Sequence, residues 1–281
     1  MIDIDGLWDY HDPGASEARF RAQLAQAAPA ERAELLTQIA RAQGLQRRFD
    51  DALTTLVEAE TLLTPEMERV RVRWLLERGR VRNTSGDREA AKPDFAAAWG
   101  LARIVGEDAL AIDAAHMLAI VETGETAFEW NRRALDLAER SADDRARRWQ
   151  GSLHNNIGWS YHDQGDYEQA LRHFQAALEY HTANGRPQNI LIARWCVGRA
   201  LRSLNRLDEA LAVQQSLAAE HAAAGTGDGY VDEELGECLL AVGRPDEAKP
   251  HFAQAYARLS LDSWFAENES ARLERLRAFG S

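Results

Sequence analysis

Residues 155–177 read NNIGWSYHDQGDYEQALRHFQAA, and this stretch decides the fold. Small residues such as Gly158 and Ala170 recur with large ones such as Phe174 at helical spacing. Gly165 lies between two helical patterns and is typical of a tight turn. Two helices joined by this turn can pack closely because the small residues leave room for the large ones. The stretch therefore predicts a helical hairpin.

The same pattern of small and large residues recurs along the chain about every forty residues. Its anchors, the small residues on the first helix of each pair, are Ala40, Gly79, Ala115, Gly158, Gly198 and Gly236. Successive anchors are 39, 36, 43, 40 and 38 residues apart. A fixed period in this range indicates stacked units that bury their faces against their neighbours. The sequence therefore predicts an all-α array of about six helical hairpins over residues 30–260.

This pattern resembles the tetratricopeptide repeat (TPR) family, in which small and aromatic residues recur at set offsets. The matching residues of the clearest copy are Gly158, Tyr161, Gly165, Tyr167, Ala170, Phe174 and Ala177. The period is longer than the about 34 residues of the minimal repeat. In this it is similar to kinesin light chains and to bacterial peptide-sensing regulators. The resemblance implies an α-α superhelix, a TPR solenoid, whose concave side is lined by the first helix of each pair.

Flanking segments are predicted from their own patterns. Residues 1–14 lack a helical period and are predicted to form an extended N-terminal arm, and residues 15–29 a helix. Residues 261–281 are predicted to form an amphipathic C-terminal capping helix. Such flanking helices suit a solenoid because its end repeats otherwise expose their stacking surface.

The arm contains Leu7-Trp8-Asp9, which looks like the tryptophan-acidic peptides that kinesin light chains bind. Fourteen extended residues span about 45 Å, enough to enter the groove. The alternative is that Trp8 packs on the first helix as a cap. Both hypotheses stay open at this point.

Turn and cap residues mark the helix ends. Thr64-Pro65-Glu66 predicts a helix start, because proline suits the first helical position. The pattern predicts tight turns within pairs at Gly86, Gly165 and Asn205. Second helices are predicted to end at Gly106, Gly185 and Gly225.

Counting outward from the anchors by helical spacing predicts the residues of the concave, peptide-binding face. They are Arg41, Arg73, Arg80, Asn83, His116, Asn155, Trp159, His162, Trp195, Arg199 and Arg202. Arginine suits carboxylates and tryptophan gives a rigid contact surface, so we expect an extended acidic or aromatic peptide. The sixth repeat departs from this basic strip with Glu233 and Glu237. The alternatives are that the arginines pair with nearby glutamates and that the tryptophans pack between repeats.

Asn155 and Asn156 occupy the place where kinesin light chains carry paired asparagines. The resemblance implies that they hydrogen bond to the backbone amides of a ligand. A side-chain amide both donates and accepts, which matches a peptide bond.

Composition limits the partners. A net charge of -12 and a pI near 5.2 oppose binding to nucleic acid or to anionic membranes. No apolar run approaches the about 18–20 residues that cross a bilayer. Cys196 and Cys238 lie far apart in apolar helical stretches, which favours free buried thiols and a reducing cytoplasm.

No arrangement of residues predicts catalysis, a metal site or a cofactor. His154 and His162 are eight residues apart, as are His173 and His181, and neither pair has the spacing of a helical zinc motif. Cys196 beside Trp195 in an apolar helix favours a structural thiol over a nucleophile. The sequence therefore predicts a protein that is not an enzyme.

Three functions follow, led by a cytoplasmic scaffold or adaptor that binds a protein or peptide in the groove. The second is a relative of the Rap-type peptide receptors, which bind signalling peptides and act on a response regulator. This chain departs from them because one helix precedes the array where they carry a small helical bundle. The third is a structural subunit of a homo-oligomer.

Overall fold

The computed structural model describes residues 3–281, which form helices and contain no strand. The helices, which follow a 3-10 turn at Asp5–Leu7, are α1 (Pro13–Gln23), α2 (Pro29–Leu45), α3 (Phe49–Leu62), α4 (Glu68–Thr84), α5 (Arg88–Val105), α6 (Asp108–Val121), α7 (Gly124–Arg140), α8 (Asp144–Arg147), α9 (Gln150–Asp163), α10 (Tyr167–Ala183), α11 (Pro187–Ser203), α12 (Leu207–Ala223), α13 (Gly229–Ala241), α14 (Pro245–Leu259), α15 (Ser263–Asn268) and α16 (Ser270–Phe279). No helix in the described range combines the length and apolar character needed to cross a bilayer. The predicted all-α class is confirmed.

The chain forms two compact units, Met1–Gln150 and Gly151–Ser281. The first contains the hairpins α2/α3, α4/α5 and α6/α7, and the second contains α9/α10, α11/α12 and α13/α14. The first helix of each pair is called its A helix below, and the second its B helix. Within the described residues these are the six hairpins that the sequence predicts.

Missing side chains on A helices make room for aromatic rings on B helices. The pairs are Gly79 with Phe95, Gly158 with Phe174 and Gly236 with Phe252. A Cβ atom at these glycines would lie 2.5, 2.5 and 2.8 Å from the partner ring, closer than two atoms can pack. Each phenylalanine follows its glycine by sixteen residues and is almost completely buried. The small residues of the pattern therefore set how closely paired helices approach.

Tight turns follow the anchors at a constant offset of seven residues in five of the hairpins. Their left-handed residues are Arg47, Gly86, Gly165, Asn205 and Gly243, with φ between 58° and 103°. Gly106, Gly185 and Gly225 also have positive φ and follow the ends of B helices. The turns predicted at Gly86, Gly165 and Asn205 and the helix ends predicted at Gly106, Gly185 and Gly225 are confirmed.

The helix start predicted at Thr64 is wrong. Helix α4 begins at Glu68, and the Met67 amide donates to the Thr64 carbonyl across a turn at 3.1 Å. Proline in its second place suits a turn as well as a helix start, so the same residues fit both.

The described part of the predicted arm is folded against α1 and α2, and residues 1 and 2 lie outside the described residues. Trp8 stacks on Tyr10 at 4.7 Å and meets Phe20 of α1 edge-on at 5.1 Å. The Trp8 indole donates to Gln38 Oε1 at 2.9 Å, and the guanidinium of Arg41 lies 5.7 Å from its ring. This packing agrees with the hypothesis that Trp8 caps the first helices.

We expect Trp8→Ala to lower the free energy of unfolding by about 1–2 kcal/mol. The substitution removes the contact between the Trp8 ring and Phe20, and it leaves Gln38 Oε1 without the indole donor. Urea denaturation followed by circular dichroism measures the change. His11→Ala, at an exposed position of the same segment, is the matched control and should stay within about 0.5 kcal/mol. Equal effects from both variants would contradict the capping role.

After α14 the chain forms two helices where one was predicted. Asp262 caps α15 by accepting from the Phe265 amide at 3.0 Å, and Glu269 interrupts the helical backbone with φ -121°. Phe265 and Leu276, on the two sides of this break, are both fully buried. The helical periodicity of the sequence did not indicate the break.

Candidate functional site

The arginines predicted for the groove of the first unit are all ion-paired to acids on other A helices. Arg73 on α4 lies 2.7 Å from Glu34 on α2, and Arg41 on α2 lies 3.4 Å from Glu77 on α4. Arg80 contacts Glu77 at 2.6 Å and also Asp113 on α6. These pairs connect neighbouring A helices. They agree with the alternative stated in the sequence analysis, in which the arginines pair with nearby glutamates. The strip therefore carries no surplus positive charge at these positions.

Glu77 is the centre of this network, with only 2% of its surface exposed. Its Oε1 atom accepts from Arg41 and Arg80, while Oε2 is buried with no hydrogen-bond partner among the described residues. Burial opposes the charge of Arg80, but Asp113 and Glu77 outweigh it and raise its pKa. Arg41, Glu77 and Arg80 line a cavity of about 140 Å³.

The two remaining predicted residues of the first unit lie near this network. Asn83 is half-buried on α4, one turn beyond Arg80. His116 is on α6, and the centroid of its ring is 5.3 Å from the centroid of the Trp149 ring. Burial lowers the pKa of His116, although Asp113 opposes this shift. The structure thus brings Arg41, Arg80 and His116 to one side of the A helices.

In the second unit, the predicted arginines converge on one buried carboxylate. Arg202 on α11 makes two hydrogen bonds of 2.7 Å to Glu234 on α13, and Arg199 Nε lies 3.0 Å from the same group. Glu234 is 3% exposed. His162 on α9 shares a hydrogen bond of 3.0 Å with Ser203 Oγ, which also accepts from Arg199. Burial lowers the pKa of His162, and the charge of Arg199 adds to the shift.

The acids that interrupt the predicted basic strip, Glu233 and Glu237 on α13, are paired with α16. Arg272 makes two hydrogen bonds of 2.6 Å to Glu233, and Arg275 contacts Glu237. Four arginines thus pair with three carboxylates along α11, α13 and α16, which leaves one positive charge in excess. Most of the charge that led us to expect an acidic ligand is compensated within the fold.

The predicted tryptophans belong to a row of aromatic rings across the second unit. Trp159 on α9 lies 5.9 Å from Trp195 on α11, which lies 6.0 Å from Tyr230 on α13. Tyr230 in turn contacts Phe265 on α15 at 5.8 Å. The Trp195 indole donates to the Tyr230 carbonyl at 3.0 Å. These rings pack between helices, as the second sequence alternative states; Trp159, Trp195 and Tyr230 are half-buried and Phe265 is fully buried.

Two cavities lie beside this row, one on each side of α11. The first, of about 230 Å³, is lined by Ser152, Asn155, Asn156, Ala177, His181, Asn189, Ile192 and Ala193. The second, of about 240 Å³, is lined by Gln188, Leu191, Ile192, Trp195, His221, Asp228, Tyr230 and Val231. They are called the amide cavity and the aromatic cavity below. Among the predicted residues, Asn155 lines the first and Trp195 the second.

Sequence reasoning missed most of the lining of these cavities. His181 is on the B helix α10, whereas only A-helix residues were predicted for the concave face. Asn189 and Ile192 lie on α11, about two turns and one turn before Trp195 respectively. Helical spacing from Trp195 towards the start of α11 would have identified them. Asn155 has a further role, because its Oδ1 accepts from the Cys196 thiol at 3.3 Å.

A histidine pair joins α9 to α10, although the sequence spacing gave no reason to connect its members. The Nδ1 atoms of His154 and His173 are 3.0 Å apart, so one ring donates and the other accepts. Burial lowers the pKa of His154 to about 4, and the neighbouring His173 adds to the shift. Across residues 3–281 no group of three metal-ligating side chains is assembled.

We expect the chain to lose stability as the pH falls from about 6.5 to about 4. In this window an unfolded histidine binds a proton that folded His154 does not bind, so protonation favours unfolding. The NMR titration of His154 should have its midpoint near pH 4. His154→Phe should lose less stability over the same window. A midpoint near 6.5 would contradict this prediction.

Comparisons with known proteins support the repeat architecture. Residues 149–219 match a family model described as tetratricopeptide repeat. No curated protein matches the chain as a sequence relative.

Solved structures of TPR proteins superpose on most of the chain. A signal transduction ATPase with numerous domains and a TPR sensor, from Pyrococcus horikoshii, has a TM-score of 0.73 at 12% identity; the match covers 95% of this chain and 42% of that one. The apo form of RapI also has a TM-score of 0.73 at 12% identity, covering 92% and 74%. A Rap protein complexed with competence and sporulation factor has a TM-score of 0.58 at 16% identity, and the match covers 95% of this chain and 76% of that one. At these identities the likeness shows the fold, and the predicted TPR fold is confirmed.

Proposed function

We propose that this chain, whose hairpins have the TPR fold, is a non-catalytic scaffold that binds a peptide segment of another protein. The proposed site is the A-helix face of the second unit. The observation that carries the proposal is the pair of cavities on the two sides of α11, with the exposed side chain of Ile192 between them. A concave apolar surface with a few converging polar groups is the usual form of a binding site.

The lining favours a peptide over a charged small molecule. Asn155 and Asn156 offer amides that both donate and accept, which suits the backbone of an extended segment. Arg199 and Arg202 both pair with Glu234, and neither lines the two cavities, so the cavities themselves offer no arginine to an acidic ligand. We therefore base the proposed affinity on hydrogen bonding and apolar contact.

The environment of the cysteines fits a reducing compartment, so we retain the cytoplasm as the proposed location. Burial raises the pKa of Cys196 and of Cys238 to about 12, which suppresses the reactive thiolate. Both are free thiols in the core of the second unit.

A Rap-like peptide sensor is the second candidate, favoured by the likeness to RapI and to a Rap protein solved with competence and sporulation factor. A sensor requires an output partner in addition to the peptide. A homo-oligomer subunit is the third candidate. Light scattering over a range of concentrations distinguishes the homo-oligomer from the first two candidates. A scaffold or sensor whose site is open should have the mass of a monomer at every concentration.

Selection from a displayed library of random twelve-residue peptides tests the proposed function. We expect enriched sequences that bind the wild-type chain and lose at least about 10-fold in affinity on Ile192→Asp, which introduces a charge beside both cavities. The matched control is Ile104→Asp on α5, since Ile104 is 81% exposed and lies in the first unit. Absence of enrichment, or equal binding by both variants, would refute the site.

A further inference from the structure

The lining of the amide cavity combines apolar surface with five polar side chains and, among the described residues, includes no charged one. Its polar groups are Ser152, Asn155, Asn156, His181 and Asn189. His181 is 5% exposed, and its Nδ1 atom has no hydrogen-bond partner within residues 3–281. Burial lowers the pKa of His181 and the charge of Arg186 adds to this, so the ring is neutral at pH 7. A buried, neutral ring nitrogen without a partner is costly unless a ligand or water satisfies it.

The chemistry of this lining favours an uncharged ligand group that both donates and accepts hydrogen bonds. A carboxylate or an ammonium group would be buried without a counter-charge, at a large cost. A hydroxyl group also donates and accepts, but it is about the size of one water molecule. The cavity, at about 230 Å³, has room for far more than that. A carboxamide satisfies both requirements, because its oxygen accepts and its NH₂ group donates twice.

The aromatic cavity has a different character, because its polar groups are largely engaged inside the fold. Asp228 accepts from the Tyr230 amide at 2.8 Å as the cap of α13, and the Trp195 indole donates to the Tyr230 carbonyl. Leu191, Ile192 and Val231 complete walls that are mainly apolar. At about 240 Å³, below the usual size of a small-molecule site, this cavity suits one apolar side chain.

The two cavities lie on opposite sides of α11, and this sets the distance between the two ligand side chains that would fill them. Adjacent helices pack at about 8–10 Å, so the cavities are separated by about that distance. A polyproline II segment rises about 3.1 Å per residue and presents every third residue to the same face, about 9 Å apart. In a flat β-strand, by contrast, residues three apart point to opposite faces.

We propose that the ligand is an extended segment in which an Asn or Gln side chain fills the amide cavity and an apolar side chain three residues away fills the aromatic cavity. This inference rests on the proposed function and names the ligand class of that same site. Recognition is then largely independent of ligand charge. It relies on His181 and Asn189 for the amide and on Leu191 and Trp195 for the apolar group.

The test uses the full chain and the displayed random twelve-residue peptides. We expect Asn or Gln to be enriched three positions from Leu or an aromatic residue. Asn189→Leu and His181→Phe should remove the amide preference alone, and Leu191→Gln the apolar preference alone. Gln175→Leu is the matched control, an exposed amide of α10 that lines neither cavity, and it should change neither preference.

The most enriched peptide is then synthesised and its affinity is measured by fluorescence anisotropy. Replacing its amide residue by Leu should weaken binding to the wild-type chain about 10-fold, and binding to Asn189→Leu by less than about 3-fold. Asn189 is half-buried, so this variant tests the inference even if His181→Phe does not fold. Enrichment with another spacing, with charged residues in the amide position, or with preferences that persist in the variants overturns the inference while leaving peptide binding intact. No enrichment at all overturns both proposals.

Discussion

Phe174→Ala is expected to lower the free energy of unfolding by about 3–5 kcal/mol, the range for a fully buried phenylalanine. The ring occupies the space left by the absent side chain of Gly158 and meets Trp159 edge-on at 5.2 Å. Its removal leaves a cavity between α9 and α10 that the two helices can close only by shifting towards each other. Urea denaturation followed by tryptophan fluorescence and circular dichroism measures the loss.

A second substitution tests the physical cause of this loss. Gly158→Ala alone should destabilise by about 1–3 kcal/mol, because its Cβ meets the Phe174 ring. In the Phe174→Ala background the same change should be stabilising by up to about 1 kcal/mol, since alanine favours helix and the ring is gone. Trp264→Ala, at a 60% exposed aromatic residue, is the control and should stay near 0.5 kcal/mol or below. Additive effects of the two substitutions would rule out direct Gly158–Phe174 packing.

Glu234→Leu is expected to cost about 2–3 kcal/mol. The substitution leaves the guanidinium groups of Arg199 and Arg202 without their carboxylate, and breaking a buried ion pair costs about 3–5 kcal/mol. We place the effect below that range because about a quarter of each arginine side chain remains exposed. Thermal and urea denaturation at low and high salt measure the change.

Matched variants separate the buried network from ordinary surface charge. Glu209→Leu removes an exposed carboxylate that pairs with Arg206 and should leave the free energy of unfolding almost unchanged, because solvent screens this pair. Replacing Arg199 and Arg202 by leucine in the Glu234→Leu background should restore much of the stability, because no unpaired charge then remains. A Glu234→Leu effect no larger than that of Glu209→Leu would show that the network is solvated.

The hairpin fold could be predicted from the sequence because its determinants are local and repeated. The sixteen-residue offset between Gly158 and Phe174, and the left-handed turn at Gly165, are set by residues within one hairpin. Errors occurred where one residue pattern fits two backbones. Thr64-Pro65-Glu66 fits both a turn and a helix start, and the break at Glu269 lies in a sequence that also fits a continuous helix.

The candidate site was less accessible to sequence reasoning because it depends on contacts between repeats. Arg202 and Glu234 are 32 residues apart, and both were visible as polar residues on A helices. Their pairing depends on how α11 and α13 are displaced along each other, which no single-helix pattern encodes. The cavities beside Ile192 are spaces that packing leaves empty, so they also depend on this displacement. For the eleven predicted groove residues, peptide binding stays a prediction.

Helix α16 is held beside the last A helix by ion pairs that span about one repeat. Arg272 and Arg275 lie 39 and 38 residues beyond their partners Glu233 and Glu237, close to the spacing between successive anchors. Helix α16 therefore contacts α13 much as a further A helix would. A partner that docks on this side of α13 would first have to displace those two arginines.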